Sequence, residues 1–254
     1  MTAGIAPEGP LVSFRGVHVV RGGAVVLDSL SFDLFSGQTL VLLGRSGSGK
    51  TTALKLVNGL LYPGAGEVLV EGRSTSSWDP IRLRRRIGYV IQETGLFPHF
   101  TVARNVGLVP RLEKWTEPAI GARVTELLET VGLDPAVYAS RYPRELSGGQ
   151  RQRAGVARAL AANPSLLLFD EPFGALDPIT RHDLQNQFLD LRRLLGVTAM
   201  FVTHDVREAL RLGTQIALLH EGRLDTLATP EEFVRSTSTE AARFLACLKE
   251  DNNS

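Results

Sequence analysis

Cysteine is almost missing from this chain: Cys247 is the single thiol in 254 residues. One thiol closes no internal disulfide, so no disulfide framework holds the fold, and a reducing compartment suits it. Cys247 itself reads as a small buried or interface residue near the C-terminus. Charge of one sign is not in excess either. Lysine plus arginine number 28 against 27 for aspartate plus glutamate, so no global basic field marks a nucleic-acid partner. No apolar run approaches the ~18 residues of a membrane-spanning helix. Met1 to Pro10 has no basic segment followed by an apolar stretch, so no secretory signal is visible. The expectation is a cytosolic protein, or one at a cytosolic membrane face that reaches the membrane through a partner. Internal repeats and low-complexity segments are also lacking.

What is present has the size of one large α/β domain or two small ones. Leu11 to Val20 and Val25 to Leu34 read as two strands around Arg21-Gly22-Gly23. In the second, Leu30, Phe32 and Leu34 alternate with Ser31, Asp33 and Phe35, the pattern of a half-buried strand. Thr39 to Leu43 is a buried strand, and Lys50 to Leu61 reads as the helix after it. Tyr62 to Gly66 breaks that helix; Glu67 to Val70 and Ile87 to Ile91 return as strands. From Glu93 to about Ala162 no strand is convincing, prolines punctuate helical patterns, and Val124, Leu127, Leu128 and Val131 share a helix face. Leu166 to Phe169 and Thr198 to Thr203 suit a covered parallel sheet. Between them Ile179 to Leu195 is a helix with Leu184, Phe188, Leu191 and Leu195 on one face. Gln215 to His220 and Gly222 to Leu227 close the sheet, Pro230 opens a helix, and Thr239 to Leu248 is a last helix before a polar tail.

The chemistry concentrates between the Thr39 strand and its helix. Gly44-Arg45-Ser46-Gly47-Ser48-Gly49-Lys50-Thr51-Thr52 fits G-x-x-x-x-G-K-[ST], the loop that binds nucleotide phosphates. Its glycines let backbone N–H groups face a triphosphate at the positive end of a helix. Lys50 supplies charge to the β- and γ-phosphates, and the Thr51 hydroxyl is a ligand for Mg²⁺. Leu166-Leu167-Leu168-Phe169-Asp170-Glu171 is an apolar strand ending in two carboxylates. Asp170 is suited to Mg²⁺, and Glu171 to orienting or deprotonating an attacking water. In Leu146-Ser147-Gly148-Gly149-Gln150, two glycines open a helix and offer a second anion seat. This seat is separate from the phosphate loop, which invites a nucleotide held by another subunit. Taken alone, the same string is also an ordinary Ser/Gly helix cap.

Together these residues resemble the ATP-binding cassette family. The phosphate loop, Gln92, LSGGQ, Asp170-Glu171, Gly174-Ala175-Leu176-Asp177, and His204 after Phe201-Val202-Thr203 occur in the family's order. The resemblance implies an α/β P-loop NTPase core with a mixed sheet, an N-terminal antiparallel β subdomain and an inserted α-helical subdomain at about 93–162. The cassette domain would occupy 11–236, and 237–254 a short helix and tail with no regulatory domain. It further implies a head-to-tail dimer that holds two ATP molecules. Each ATP would lie between one subunit's phosphate loop and Ser147, Gly148, Gly149 and Gln150 of the other. Gln92 would touch Mg²⁺ and the attacking water, His204 the γ-phosphate, and Asp177 would carry signals across the dimer. Alone, His204-Asp205 would more often be a helix-capping pair. The family stacks adenine on an aromatic residue where this chain has Arg21; a guanidinium plane also stacks on a base, and Phe14 is the alternative.

Cassettes without fused membrane helices are typical of bacterial importers. Ile87 to His99, Thr101-Val102, Asn105-Val106, Val109 to Trp115 and Phe169 to Arg181 look like subunits that import osmoprotectants such as glycine betaine, choline or carnitine. Two permease subunits would be the membrane partners, with an extracytoplasmic binding protein delivering solute. Phe97, Phe100 and Trp115 would anchor a permease helix, unless Trp115 packs inside the helical subdomain. His99 reads as a turn residue; His18, His182 and His220 have no visible partners. An importer cassette for a polyamine, sulfonate or amino acid stays open, as does a non-transport cassette ATPase, although no coiled-coil insertion, zinc site or second cassette appears. Many osmoprotectant cassettes continue into C-terminal regulatory modules, so regulation here is expected in another subunit.

Overall fold

The structure is a computed structural model that describes residues 9–91, 95–174 and 176–250. In chain order its elements begin with β1 (Val12–Arg21), β2 (Ala24–Leu34), β3 (Thr39–Gly44), α1 (Lys50–Val57), β4 (Ala65–Val70), β5 (Arg73–Ser74), α2 (Pro80–Arg86) and β6 (Ile87–Ile91). Five α-helices follow among the described residues: α3 (Val102–Val106), α4 (Leu108–Leu112), α5 (Glu117–Thr130), α6 (Pro135–Tyr138) and α7 (Gly148–Leu160). Then come β7 (Leu166–Asp170), α8 (Pro178–Leu195), β8 (Thr198–Thr203), α9 (Val206–Leu212), β9 (Gln215–His220), β10 (Arg223–Ala228), α10 (Pro230–Val234) and α11 (Thr239–Glu250). Two compact units result, Met1–Leu83 with Thr198–Ser254 and, separately, Arg84–Val197.

The first unit holds an antiparallel sheet in the order β2-β1-β4-β5. β1 and β2 form a hairpin in which Arg21 faces Ala24. Gly22 (φ 58°) and Gly23 (φ 81°) both take the left-handed region that a two-residue hairpin turn needs. Leu30, Phe32 and Leu34 are buried, and Phe14 stacks on Phe32 with ring centroids 4.4 Å apart. Phe14 is therefore core and cannot stand in for an adenine-stacking residue. In the unit's other sheet β3 lies between β8 and β9, parallel to both, while β10 runs antiparallel to β9. Every residue of β3 and β8 is buried, as expected for strands covered on both faces.

In the second unit β6 and β7 pair in parallel, from Ile87 opposite Leu166 to Ile91 opposite Asp170. Between these strands the described residues form helices only. Pro118 and Pro135 sit in the first turns of α5 and α6, where the Thr116 and Asp134 side chains accept backbone N–H groups. Val124, Leu127, Leu128 and Val131 are buried along one face of α5 and its end.

Some expectations need correction. α1 stops at Val57 instead of reaching Leu61, because Gly59 (φ 63°) turns left-handed and the Leu60 and Leu61 N–H groups both return to the Lys55 carbonyl, at 2.9 and 3.0 Å. Leu184, Phe188 and Leu191 face the core from α8, but Leu195 is 44% exposed, since Gly196 (φ 59°) ends the helix directly after it. Cys247 is exposed. His18 and His220 do have partners: His18 Nδ1 lies 3.4 Å from Asp28 and His220 Nδ1 lies 3.6 Å from Glu240. The short helices α2 and α9 are additions to the expected elements. Each follows an aspartate that accepts a first-turn N–H, Asp79 from Arg82 and Asp205 from Arg207.

Candidate functional site

The glycine-rich loop leaves β3 at Gly44 and enters α1 at Lys50. Sterics require two of its glycines. A Cβ on Gly44 would lie 2.4 Å from the Leu219 carbonyl oxygen and 2.5 Å from Ser48 Oγ. On Gly49 (φ 97°) it would lie 2.5 Å from Leu27 Cδ2 and 2.8 Å from the Val26 oxygen. The loop is thus pressed between β9 and β2, with Arg45, Ser46 and Gly47 left exposed at its crest. Lys50 is only 5% exposed, and its Nζ donates to the Gly44 and Arg45 carbonyls, both at 2.8 Å. A buried ammonium needs such acceptors to offset its lost hydration. Ser48 Oγ is buried and has no hydrogen-bond partner among the described residues. Thr51 and Thr52 are half-buried in the first turn of α1.

Strand register brings His204 to the same end of the sheet. Leu43 lies opposite Thr203, so β3 and β8 release their loops together. His204 is exposed there. Its neighbour Asp205 caps α9, accepting from the Arg207 N–H at 2.8 Å. Thr203 Oγ1 donates to buried Glu208 at 2.6 Å and accepts from the Asp205 N–H at 3.0 Å, which holds this turn. Arg21 is exposed at the end of β1.

In the other unit, β7 ends at Asp170 and the chain turns at Glu171, whose φ of 47° is left-handed. Non-glycine residues in that region are uncommon and concentrate at functional positions. Tyr89 donates its hydroxyl to Asp170 Oδ2 at 3.1 Å, an interaction that no motif in the sequence signals. Burial first, then the Asp170 charge and this hydrogen bond, raise the Tyr89 pKa well above the ordinary tyrosine range, so the phenol remains a donor.

Ser147 is the N-cap of α7 within a reciprocal capping box. Its Oγ accepts from the Gln150 N–H at 3.2 Å, while Gln150 Oε1 accepts from the Ser147 N–H at 2.9 Å. The cap reading of this string is therefore correct as far as it goes. It leaves the hydroxyl proton of Ser147 available, because the oxygen is used as an acceptor. Gly149 faces α8, where a Cβ would come within 2.6 Å of Thr180 Cγ2. Asp177 caps α8, accepting from the Ile179 and Thr180 N–H groups at 3.1 and 3.0 Å. The Thr180 side chain foremost, helped by backbone N–H groups, holds the Asp177 carboxyl below its ordinary range. Gln92 and Ala175 lie outside the described residues.

Phe97, His99 and Phe100 form a ring cluster with centroids 4.4 to 6.0 Å apart, and the Arg104 guanidinium lies 4.0 Å from the Phe100 ring. Fully buried Asn105 builds this loop. Its Oδ1 accepts from the Phe97 N–H, and its Nδ2 donates to the carbonyls of Phe97, Phe100 and Thr101. Phe97 is 41% exposed and Trp115 is half-buried.

Three comparisons bear on this geometry. Residues 27–174 match the family described as ABC transporter. The chain is 48% identical, over 87% of its length and 58% of the relative's, to the glycine betaine/carnitine/choline transport ATP-binding protein OpuCA of Bacillus subtilis (strain 168). It is also 48% identical, over 84% of its length and 56% of the relative's, to the osmoprotectant import ATP-binding protein OsmV of Salmonella typhimurium (strain LT2). The chain thus spans little more than half of these relatives. Its fold is that of cbiO1 from Clostridium perfringens, part of the ABC transporter complex cbiONQ, with a TM-score of 0.82 at 24% identity over 95% of this chain and all of that one. Among the described residues no helix is long and apolar enough to cross a membrane. The match covers the glycine-rich loop, the capped α7 and the Asp170-Glu171 pair in a single stretch, and by it the chain belongs to the ABC transporter family.

Proposed function

We propose that the chain binds ATP with Mg²⁺, hydrolyses it, and so powers an importer for glycine betaine or a related quaternary amine. The observation that carries the nucleotide reading is the state of the loop. A buried Lys50 ammonium rests on the carbonyls of Gly44 and Arg45 beside a Ser48 hydroxyl with no partner among the described residues. Phosphate oxygens are charged acceptors and stronger partners than carbonyls, so a triphosphate gives Lys50 a better place to donate. The residues present therefore fit a triphosphate. The kinship with transport ATP-binding proteins for glycine betaine, carnitine and choline supports the solute class.

In this reading the loop Gly44 to Thr52 binds the phosphates and Arg21 stacks on adenine. Thr51, Asp170 and Gln92 hold Mg²⁺, which when bound neutralises phosphate charge. Tyr89 keeps the Asp170 carboxylate oriented. Glu171 orients or deprotonates the attacking water, and His204 donates toward the γ-phosphate. Ser147, Gly148, Gly149 and Gln150 of a second, head-to-tail copy close over the same nucleotide, and Asp177 communicates across that dimer. Two permease subunits receive the motion, through the loop that carries Phe97 and Phe100. An extracytoplasmic binding protein supplies the solute, and the cassette works as a peripheral subunit on the cytoplasmic face. Closure follows because the closed dimer offers ATP more contacts than the open one.

The test is a pull-down of tagged Glu171→Gln protein from native membranes with ATP, paired with hydrolysis assays. The variant should bind ATP but lose about 10²- to 10⁴-fold in turnover, the span of general-base catalysis. Lys50→Ala should lose nucleotide binding. A permease should co-purify, and its binding protein should take up glycine betaine. Recovery of ribosomes, DNA or no partner would overturn the transport reading, and a Glu171→Gln variant of normal turnover would remove Glu171 from the mechanism.

A further inference from the structure

Glu240 is a nearly buried carboxylate, 5% exposed, that faces two arginines and a histidine. Arg45 Nε donates to its Oε1 at 2.9 Å, His220 Nδ1 lies 3.6 Å from the same oxygen, and Arg243 Nη1 donates to Oε2 at 3.0 Å. Burial pushes its pKa up, but the Arg243 hydrogen bond and the charges of Arg45, His220 and Arg243 together outweigh this and leave it below the ordinary range. It is therefore a fixed anion at neutral pH. Its helix is fixed as well. Ser238 Oγ accepts from the Glu240 and Ala241 N–H groups, both at 3.2 Å, and donates to Asp225 on β10 at 2.5 Å. Ala241 beside it is fully buried.

The partner on the other side belongs to the phosphate loop. Arg45 is its second residue, and its carbonyl accepts from both Lys50 Nζ at 2.8 Å and the Ser48 N–H at 3.2 Å. Strand register accounts for the meeting: Gly44 lies opposite Leu219, so Arg45 and His220 leave β3 and β9 side by side. A single residue thus connects α11, through its guanidinium, to the lysine and serine of the loop, through its carbonyl. Arg45 is otherwise at an exposed crest, with its side chain 61% exposed. Ordering such a long side chain costs entropy, which a rigid anion on an anchored helix offsets.

We propose that Glu240 is a positioning residue for ATP: held on α11, it clamps Arg45 and thereby presets the loop segment that carries Lys50 and Ser48. The proposal rests on reading Gly44 to Thr52 as the triphosphate site. It assigns a nucleotide-linked role to α11, an element outside the stretch that matches the family. Removing the clamp frees the loop in the empty protein, so binding must supply the ordering cost again. Chemistry after binding is unaffected, because Glu240 touches neither Lys50 nor Glu171 through any described contact.

The experiment compares the parent with Glu240→Gln, Arg45→Ala, the double variant and Arg243→Ala, measuring KM for ATP, turnover and thermal unfolding. Glu240→Gln should raise KM about threefold to tenfold with turnover kept, and Arg45→Ala should raise KM by a similar factor, the range of a single pairwise coupling. The double variant should be no worse than either single one, since both remove one clamp. Arg45→Ala changes an exposed side chain and reads the clamp even if Glu240→Gln folds poorly. Arg243→Ala takes a partner from the other carboxylate oxygen and should leave KM within about twofold while sharing any loss of helix stability. Unchanged KM in Glu240→Gln and Arg45→Ala, multiplicative effects in the double variant, or an equal KM rise in Arg243→Ala would overturn the clamp. A parent that fails to bind ATP would instead sink the phosphate-loop reading, and the clamp with it.

Discussion

Tyr89 and Asp170 meet hydroxyl to carboxylate at 3.1 Å although 81 residues separate them in the chain. Parallel pairing of β6 with β7 sets Ile91 opposite Asp170, and Tyr89, two residues earlier, shares Ile91's face of the strand. Replacing Tyr89 by Phe removes the donor and keeps the ring. On the proposed role of Asp170 in holding Mg²⁺ for hydrolysis, the variant should then need about tenfold more Mg²⁺ for half-maximal rate, the scale of losing a partner behind a metal ligand. A titration of rate against Mg²⁺ checks this.

The same tyrosine makes an alkaline prediction. Its folded pKa is raised above the ordinary 10.0, so the unfolded chain gives up this proton first. The stability due to the protonated phenol is complete below that ordinary value and is lost as pH climbs above it toward the folded pKa. Denaturation midpoints of the parent should fall in that alkaline window, and Tyr89→Phe should show a shallower fall. Equal slopes in the two proteins would contradict the assignment.

Gly149 packs where α7 approaches α8 too closely for a side chain. Gly149→Ala should cost about 1–3 kcal/mol by overpacking against the Thr180 methyl group. The Thr180 hydroxyl is engaged with Asp177, so the methyl is not free to rotate away. Adding Thr180→Ser, which deletes only that methyl, should restore most of the loss. Chemical denaturation of the two single variants and the pair provides the measurement.

Asp177 stabilises the start of α8 as an anion. Its folded pKa lies below the ordinary 3.8, so the contribution is present above that value and disappears as pH falls through the folded pKa. Asp177→Ala should melt below the parent at neutral pH, with the gap narrowing below pH 3.8. Asp177→Asn keeps a neutral cap and should show less dependence on acid. Thermal melts across this range decide it.

Much of the fold is legible in the order of residues alone. Apolar strands such as Thr39 to Leu43 and Thr198 to Thr203 declare themselves because both faces are covered, and prolines such as Pro118, Pro135 and Pro230 mark helix starts by their missing N–H. The failures have local causes. Leu195 continues the helical period of Leu191, yet periodicity does not say where the covering layer ends. The Asp79-Pro80 start of α2 gives a weak signal because its arginine-rich turn carries little apolar pattern.

By itself the sequence determined the local structures that are written contiguously: the glycine-rich loop with Lys50 and Thr51, the Asp170-Glu171 pair at a strand end, and the Ser147 cap. Each is a run of neighbours whose geometry follows from local backbone rules, and so each can be recognised in one dimension. Only the tertiary structure decided which distant residues support them. Glu240 reaches Arg45 across 195 positions, Tyr89 reaches Asp170 across 81, and Gly149 faces Thr180 between two helices. Those pairings depend on strand register and helix approach, which arise when separate elements bury apolar surface together, and no run of neighbouring residues encodes them.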